Sequence, residues 1–302
     1  MEQSVITSNA FFHVAWGAPI SVYFWLVGAS AGSFVISAFA WVFGIKRYKP
    51  ISMIASVQAI VMLLIVPLIL IADLGKPWRF IYLLMPANWH GTAPMSWGAV
   101  LILSYPVSMF IYTYFCIKND QKWAKILGIV AIILACSTHW YTGVVMELNP
   151  GRHLNHTAMA PILFLTGAFI SGIGILILII WIYNMVVAAT KRIDWSLVEE
   201  MATYMKYGIG FDAFLLWCEF LQTVYGRESE YAAHHYILGG VFYFPYVWLE
   251  TIIGLVIPFA ILCTPLKKMK IGVVTAAFLV AIGVYGMRIW WVLGGQYMQQ
   301  FY

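Results

Sequence analysis

The feature that most constrains the fold of this chain is its series of long apolar segments. Eight runs of about 20 residues or more are bounded by proline, glycine and charged residues, and a helix of this length can cross a lipid bilayer. Of the 302 residues, 63% are hydrophobic and only 10% are charged, a balance that excludes an ordinary water-soluble domain. The predicted spans are Pro19–Ile45, Ile51–Ala72, Met95–Ile117, Trp123–Met146, Met159–Ala189, Leu197–Val224, Tyr236–Cys263 and Ile271–Leu293.

These runs predict an all-α integral membrane protein with eight transmembrane helices. The sixth run is the least regular, because it contains five charged residues. The fifth run would be about 46 Å long at 1.5 Å per residue, which exceeds a hydrocarbon core of about 30 Å. We therefore expect the fifth helix to tilt or to project from the membrane.

The basic residues predict the orientation of the chain. Eleven of the 17 Lys and Arg residues follow the odd-numbered spans, and five, including Arg288, are assigned to the opposite side. Because positive loops stay in the cytoplasm, both termini are predicted to face the outer, periplasmic side. The net charge of +5 is explained by this placement, and nucleic acid is not a predicted partner.

Several cofactor classes lack their usual residues in this sequence. The four cysteines are far apart without a C-x-x-C pair, which argues against an iron–sulfur cluster, a zinc site or a disulfide framework. His139 is the only histidine clearly within a span, and one histidine cannot supply the axial pair of a transmembrane b-type haem. No metal site, haem or iron–sulfur cluster is therefore predicted in this chain.

Three polar residues from distant segments are predicted to lie at the same depth near the outer face. His13 precedes the first span, Asp73 ends the second in the segment D-L-G-K-P-W-R-F, and Tyr141 lies in the fourth. Each has a structural alternative: a solvated or capping histidine, a salt bridge at a helix end, and a phenol bonded to another helix. The functional interpretation is a site at which a ligand exchanges protons.

Acidic residues within the spans form a second candidate group. Asp212 and Glu219 are seven residues apart on one helix face, and Glu250 lies in the seventh span. With Glu147 at the end of the fourth span, they form a predicted proton pathway. Because charges in lipid are costly, these acids either pair inside the protein, where Lys206 is the nearest base in sequence, or line a water-filled route.

Gly28 and Gly32 lie four residues apart in the first span, in the stretch G-A-S-A-G-S. This spacing favours close helix packing. The alternative is a cradle for a cofactor, although no dinucleotide fingerprint is present.

Together these features resemble the NrfD/PsrC family, the integral membrane subunits of polysulfide-reductase-type complexes. The resemblance rests on the topology, on G-A-S-A-G-S, on D-L-G-K-P-W-R-F, on P-M-S-W-G from Pro94 to Gly98, and on Y-T-G from Tyr141 to Gly143. Its motifs lie in the first half of the chain.

The resemblance implies two four-helix bundles, residues 1–147 with a quinone site and residues 148–302. It implies that His13 and Tyr141 hydrogen-bond a quinone, that Asp73 takes part in proton transfer, and that Asn9 is a further quinone contact. It also implies two partners on the outer face: a ferredoxin-like four-cluster iron–sulfur subunit and a molybdopterin catalytic subunit.

The function predicted on this basis is that of a membrane anchor that oxidises menaquinol for a respiratory oxidoreductase, in a bacterial or archaeal cytoplasmic membrane. The chain would act only within a complex, since none of its predicted groups can store electrons. The alternative is a proton-coupled secondary transporter that uses Asp212, Glu219 and Glu250 as coupling sites.

Overall fold

The computed structural model describes residues 16–85, 88–148, 157–226 and 228–297, and the regular elements within these ranges are helical. The α-helices are α1 Ala18–Trp41, α2 Lys49–Asp73, α3 Phe80–Leu84, α4 Pro94–Ile117, α5 Gln121–Glu147, α6 Ala160–Val186, α7 Trp195–Val224, α8 Glu228–Gly239, α9 Ile257–Cys263, α10 Lys270–Ile289 and α11 Gly295–Tyr297. A π-helix, Phe244–Val256, runs directly into α9, and a second, Trp290–Gly294, follows α10.

Seven helices of the described part of the chain are long and apolar enough to cross a membrane. They are α1, α4, α5, α6, the spans Lys46–Asp73 and Lys270–Gly294, and the span Phe244–Cys263. The prediction of a multi-pass, all-helical membrane protein is therefore confirmed. The remaining predicted span corresponds to α7, a continuous helix of 30 residues whose charged residues keep it out of this group, so an eight-span topology stays a prediction.

Two predicted span boundaries are wrong. The seventh span does not begin at Tyr236, which belongs to the separate helix α8, but at Phe244. Hydropathy alone could not separate two apolar segments joined by a short turn. The fifth span ends at Val186, so α6 has 27 residues and is about 40 Å long at 1.5 Å per residue.

The ends of the helices differ in charge. We call the end at which α1 stops and α2 begins, with Lys46, Arg47 and Lys49, the basic end, and the end at which α2 stops and α4 begins the far end. At the basic end Arg47 forms an ion pair of 3.1 Å with Glu200 of α7. Asp194 caps α7 there, and hydrogen bonds from Ser196 lower the pKa of its carboxyl group.

Helices α1 and α6 form the central seam of the molecule. A Cβ at Gly32 would lie 2.3 Å from the Ala168 carbonyl oxygen, and one at Gly172 would lie 2.5 Å from the Gly32 Cα. Backbones this close require residues without a side chain. The predicted packing role of the Gly28 and Gly32 pair is thus confirmed. Because this seam joins residues from both halves of the chain, the division at residue 147 remains a prediction.

One basic residue does not lie on the side predicted for it. Arg288, which the sequence places with the residues of the outer side, has 0% exposure and lies inside the helical core. Its guanidinium group donates to the Phe164 carbonyl at 2.8 Å and lies 3.8 Å from the centroid of the Phe164 ring. The carbonyl and the ring replace part of the solvation that this charge loses on burial.

Candidate functional site

A cavity lies at the far end of the described part of the protein, among α1 to α5. Its volume is about 170 Å³. Its walls are almost entirely apolar, with Ile20 and Phe24 from α1, Ile71 from α2 and Phe80 from α3 among them. An apolar cavity with a few polar groups can hold a lipid-soluble ring and fix its orientation.

Tyr141 brings a hydroxyl group into this cavity. Its side chain lies against α4, where a Cβ at Gly98 would lie 2.1 Å from the tyrosine oxygen. Gly98 therefore leaves the space that the phenol occupies. The hydrogen bond described for this hydroxyl goes to the Met95 sulfur at 3.6 Å. A thioether is a weak acceptor, so a ligand oxygen could replace it at small cost.

Tyr23, which is not among the residues predicted from the sequence, supplies a second phenol to the same cavity. It lies in α1, is only 3% exposed, and lines the wall together with Tyr141. Its position in the sequence could have indicated it, because a tyrosine within an apolar span needs a hydrogen-bonding partner. Trp16 also lines the cavity, and its backbone exchanges two hydrogen bonds with Gln296, at 2.9 and 3.0 Å. These bonds fix the start of α1 at the cavity edge.

Asp73 lies at the rim of the cavity rather than in its wall. It is the last residue of α2, next to the cavity residue Leu74. Gly75 then adopts a φ of +66°, which ends the helix and turns the chain towards α3. Among the described residues the ion pair found is that of Arg47 with Glu200, so a salt bridge of Asp73 with Lys76 or Arg79 is not observed.

The predicted residues Asn9 and His13 lie outside the described residues. Glu147 is the last residue of α5 and is half-buried. Of the outer-face residues that the sequence proposed, the structure thus brings Tyr141 into the cavity and Asp73 to its rim.

A second polar group lies in the other half of the molecule. Asp212 and Glu219 of α7 and Glu250 of the π-helix are buried, at 2%, 8% and 2% exposure. Thr166 donates a hydrogen bond to Asp212, and Trp290 donates one to Glu250. We call these three acids together with Arg288 the buried charge cluster.

The acids and the arginine of the buried charge cluster influence one another electrostatically without direct ion pairing. The charge of Arg288 acts on both Asp212 and Glu250, yet no ion pair joins them in the described part of the chain. One oxygen each of Glu219 and Glu250 and the Arg288 Nε have no hydrogen-bond partner among the described groups. Buried polar atoms are normally hydrogen-bonded, so these three atoms need partners that the described groups do not supply. Lys206 instead lies beside the Tyr207 ring.

The two π-helices help to explain the contact between Glu250 and Trp290. Glu250 and its partner Trp290 both lie in π-helical segments. A π-helix changes the direction in which side chains point, and such segments often occur at functional sites. No pattern in the sequence indicates either segment.

The histidines of the described region do not form a metal centre. No group of three or more His, Cys, Asp or Glu residues is placed to bind a metal within that region. The His139 Nδ1 bonds the Ala135 carbonyl at 2.7 Å. His234 of α8 is buried between Phe220 and Tyr246, and this burial lowers the pKa of its imidazole.

The fold defines a polytopic helical membrane protein with an apolar cavity at one end of its helices. The family described as "Polysulphide reductase, NrfD" matches residues 7–299. The chain therefore belongs to the NrfD family of membrane subunits.

Three similar proteins support this assignment. The chain is 29% identical to the "Hdr-like menaquinol oxidoreductase integral membrane subunit" of Archaeoglobus fulgidus, over 96% of this chain and 73% of that protein. It is 28% identical to a selenate reductase subunit of Mesobacillus selenatarsenatis, over 97% and 75%. It is 27% identical to a polysulfide reductase subunit of Wolinella succinogenes, over 94% and 95%. Family membership does not favour the alternative of a secondary transporter.

Proposed function

We propose that this protein is the quinol-reactive membrane anchor of a respiratory oxidoreductase complex in a bacterial or archaeal cytoplasmic membrane. The observation that carries the proposal is the apolar cavity with the Tyr141 and Tyr23 phenols in its wall. Its support is the family match and a relative named as a menaquinol oxidoreductase membrane subunit. The substrate of the cavity is then a menaquinol, with its ring between these tyrosines.

Oxidation of a quinol releases two protons and two electrons. The tyrosine hydroxyls hydrogen-bond the ring oxygens and orient them in a site from which apolar walls exclude water. His13 precedes the wall residue Trp16 by three positions in the sequence, and we assign it the role of proton acceptor, with Asn9 as a further ring contact. Asp73 at the rim passes the protons to solvent.

The electrons leave to partner subunits. The ferredoxin-like four-cluster subunit docks on the far end, which we assign to the outer face together with both termini, and it passes electrons to a molybdopterin subunit. Relatives named as subunits of selenate reductase and polysulfide reductase support such a complex. The chain is inactive alone, because its electrons need this acceptor.

Tyr141→Phe tests the site. We expect quinol-dependent reduction of the iron–sulfur partner to fall by about tenfold or more, the effect of losing one hydrogen bond to a reacting group. The measurement is stopped-flow reduction of the partner in the purified complex. Tyr285→Phe is the matched control, since Tyr285 contacts Trp25 and is not a wall residue. Equal rates in the two variants, with intact assembly, would remove Tyr141 from the site.

We further propose that the buried charge cluster is part of a proton route, which Glu147 joins at the far end. Asp212 and Glu219 are about 10.5 Å apart along α7 at 1.5 Å per residue. The support is the burial of Asp212, Glu219 and Glu250, together with the unsatisfied carboxylate oxygens of Glu219 and Glu250. This distance is too long for direct proton transfer between the two acids. The proposed route therefore needs water molecules between Asp212 and Glu219.

Asp212→Asn tests this route. The substitution keeps the shape of the side chain but replaces the titratable carboxyl group with an amide. We therefore expect fewer protons to move per quinol, with unchanged quinol binding. The measurement is proton uptake by complexes in liposomes, followed with a pH-sensitive dye. Glu199→Gln is the control, because Glu199 is an acid of the same helix outside the buried charge cluster. An Asp212→Asn stoichiometry equal to wild type would assign the acids a structural role only.

A further inference from the structure

Helix α8 lies at the far end of the protein, where it follows α7. Because α7 begins at the basic end, Glu219 is near its other end. It lies five residues before the last residue, Val224, or about 7.5 Å at 1.5 Å per residue. Helix α8 packs against α7 and against the π-helix Phe244–Val256. It therefore lies beside the two elements that carry the acids of the buried charge cluster.

His234 is a buried residue of α8 on the side of these two elements. Its side chain is 7% exposed. The centre of its ring is 5.3 Å from that of Phe220 of α7 and 5.6 Å from that of Tyr246 of the π-helix. Its Nε2 atom is buried and has no hydrogen-bond partner among the described groups. The next residue, His235, is exposed and stacks on Tyr231 of the same helix.

Tyr246 connects the His234 ring with the acids of the cluster. The centre of its ring is 5.0 Å from that of Trp290, which donates a hydrogen bond to Glu250. Its phenol also lies within the electrostatic influence of Glu219 and Glu250. One oxygen of each of these acids lacks a partner among the described groups, as does the His234 Nε2. Buried water supplies the partners of such groups in proteins.

A purely structural His234 would fill the space between the Phe220 and Tyr246 rings. A phenylalanine would fill the same space without burying an unbonded ring nitrogen, which costs free energy. The chemistry of an imidazole gives a reason for a histidine here. Burial lowers the pKa of the His234 imidazole, so the ring is mostly neutral at pH 7. A neutral imidazole of this kind can take up a proton and release it readily.

We propose that His234 carries protons between the buried charge cluster and the far end of the protein. This inference rests on the proposed function, since it names the outer step of the proton route. The imidazole accepts a proton at Nε2 from Glu219 or Glu250 through a bridging water molecule, and it releases the proton to solvent at the far end. The ring then returns to its neutral form, so no net charge accumulates on His234.

His234→Phe tests this step, because phenylalanine keeps the ring contacts with Phe220 and Tyr246 but cannot take up a proton. His235→Phe is the matched control, since it makes the same substitution at the exposed neighbouring position. His234→Gln is a second variant for the case that the phenylalanine variant does not assemble. Its amide group can bond a water molecule but does not titrate.

The measurement is the number of protons moved per quinol by complexes in liposomes, with a pH-sensitive dye, together with the kinetics of quinol oxidation. We expect His234→Phe and His234→Gln to lose as many protons per quinol as Asp212→Asn does. Their KM for quinol should change by less than about twofold, because the quinol cavity is untouched. His235→Phe should resemble wild type.

Chemical rescue separates proton transfer from packing. His234→Ala leaves space for a free imidazole, so added imidazole should restore proton movement in this variant. It should restore none in His234→Phe, whose ring fills the space. The same concentration added to Asp212→Asn corrects for imidazole that crosses the bilayer by itself.

Histidine hydrogen exchange tests the same step without a variant. The hydrogen on the ring carbon Cε1 exchanges for deuterium through the imidazolium form and needs access of water. In the wild-type complex we expect measurable exchange at His234, slower than at the exposed His235. An absence of exchange at His234 would show a ring that never takes up a proton, and it would overturn the proposal.

The remaining outcomes distinguish this inference from the proposed function. A His234→Phe complex with wild-type stoichiometry would overturn the role of His234 and leave Glu147 as the exit at the far end. An equal loss in His235→Phe would overturn it as well. Asp212→Asn with wild-type stoichiometry would instead overturn the proton route itself, and Tyr141→Phe with unchanged turnover would overturn the quinol site.

Discussion

Gly32→Ala is expected to destabilise the folded protein severely, although it adds only one methyl group. The new Cβ would lie 2.3 Å from the Ala168 carbonyl oxygen, 2.8 Å from the Phe169 carbonyl oxygen and 2.9 Å from the Gly172 Cα. All three are backbone atoms, so they can move only if α1 and α6 separate. Overpacking of this kind costs about 1–3 kcal/mol or more, and here it acts at the central seam.

The measurement is the apparent Tm of the detergent-solubilised protein. It is obtained from the fraction that still elutes as folded protein in size-exclusion chromatography after heating. Gly28→Ala is the matched control on the same helix, because its Cβ would meet the Ala168 Cα and Cβ at 3.4 Å, an ordinary contact. We expect a fall of several degrees for Gly32→Ala and little change for Gly28→Ala. Equal Tm values in the two variants would contradict the observed approach of α1 and α6.

Arg288→Met is expected to lower stability strongly as well, for an electrostatic reason. The substitution keeps an apolar stem but removes the donor to the Phe164 carbonyl and the positive charge that acts on Asp212 and Glu250. Leaving the Phe164 carbonyl without its buried donor costs about 1–3 kcal/mol, and the acids also lose the nearby positive charge. The stability of Arg288→Lys should lie between those of wild type and Arg288→Met, since an ammonium group keeps the charge but cannot stack as a plane on Phe164.

A combined variant tests this explanation. Adding Asp212→Asn and Glu250→Gln to Arg288→Met removes the acidic charges that the loss of Arg288 leaves uncompensated. Part of the lost stability should therefore return. The apparent Tm of the single and combined variants gives the coupling between the groups. A combined variant no more stable than Arg288→Met would show that the arginine acts through packing alone.

The sequence predicts the membrane class and the close packing of Gly28 and Gly32 because these depend on local patterns. Apolar runs identify helices, and a four-residue glycine spacing identifies a packing face. Tyr141 could be predicted to need a partner inside the protein because its depth in the fourth span makes a solvated phenol implausible, and the structure places it in the cavity wall. For the same reason Tyr23 could have been found.

The parts that could not be predicted depend on contacts between distant segments. Arg288 was assigned to the outer side because an arginine near a helix end usually faces water, and its burial depends on Phe164 and on acids of two other helices. Glu250 and Trp290 meet through π-helical segments that no local pattern indicates. The cavity itself is lined by residues of α1, α2, α3, α4 and α5, which only the folded chain brings together.

The central claim is that menaquinol binds in the cavity of the first half of the protein and not beside the buried charge cluster. A menaquinone analogue with a photoreactive azido group on its ring, cross-linked in the purified complex and mapped by peptide mass spectrometry, tests it most directly. The account predicts labels within residues 16–24, 95–103 or 141–145, which contain the wall residues of α1, α4 and α5. Labels confined to α7, the π-helix or α10, with none in those three segments, would contradict it.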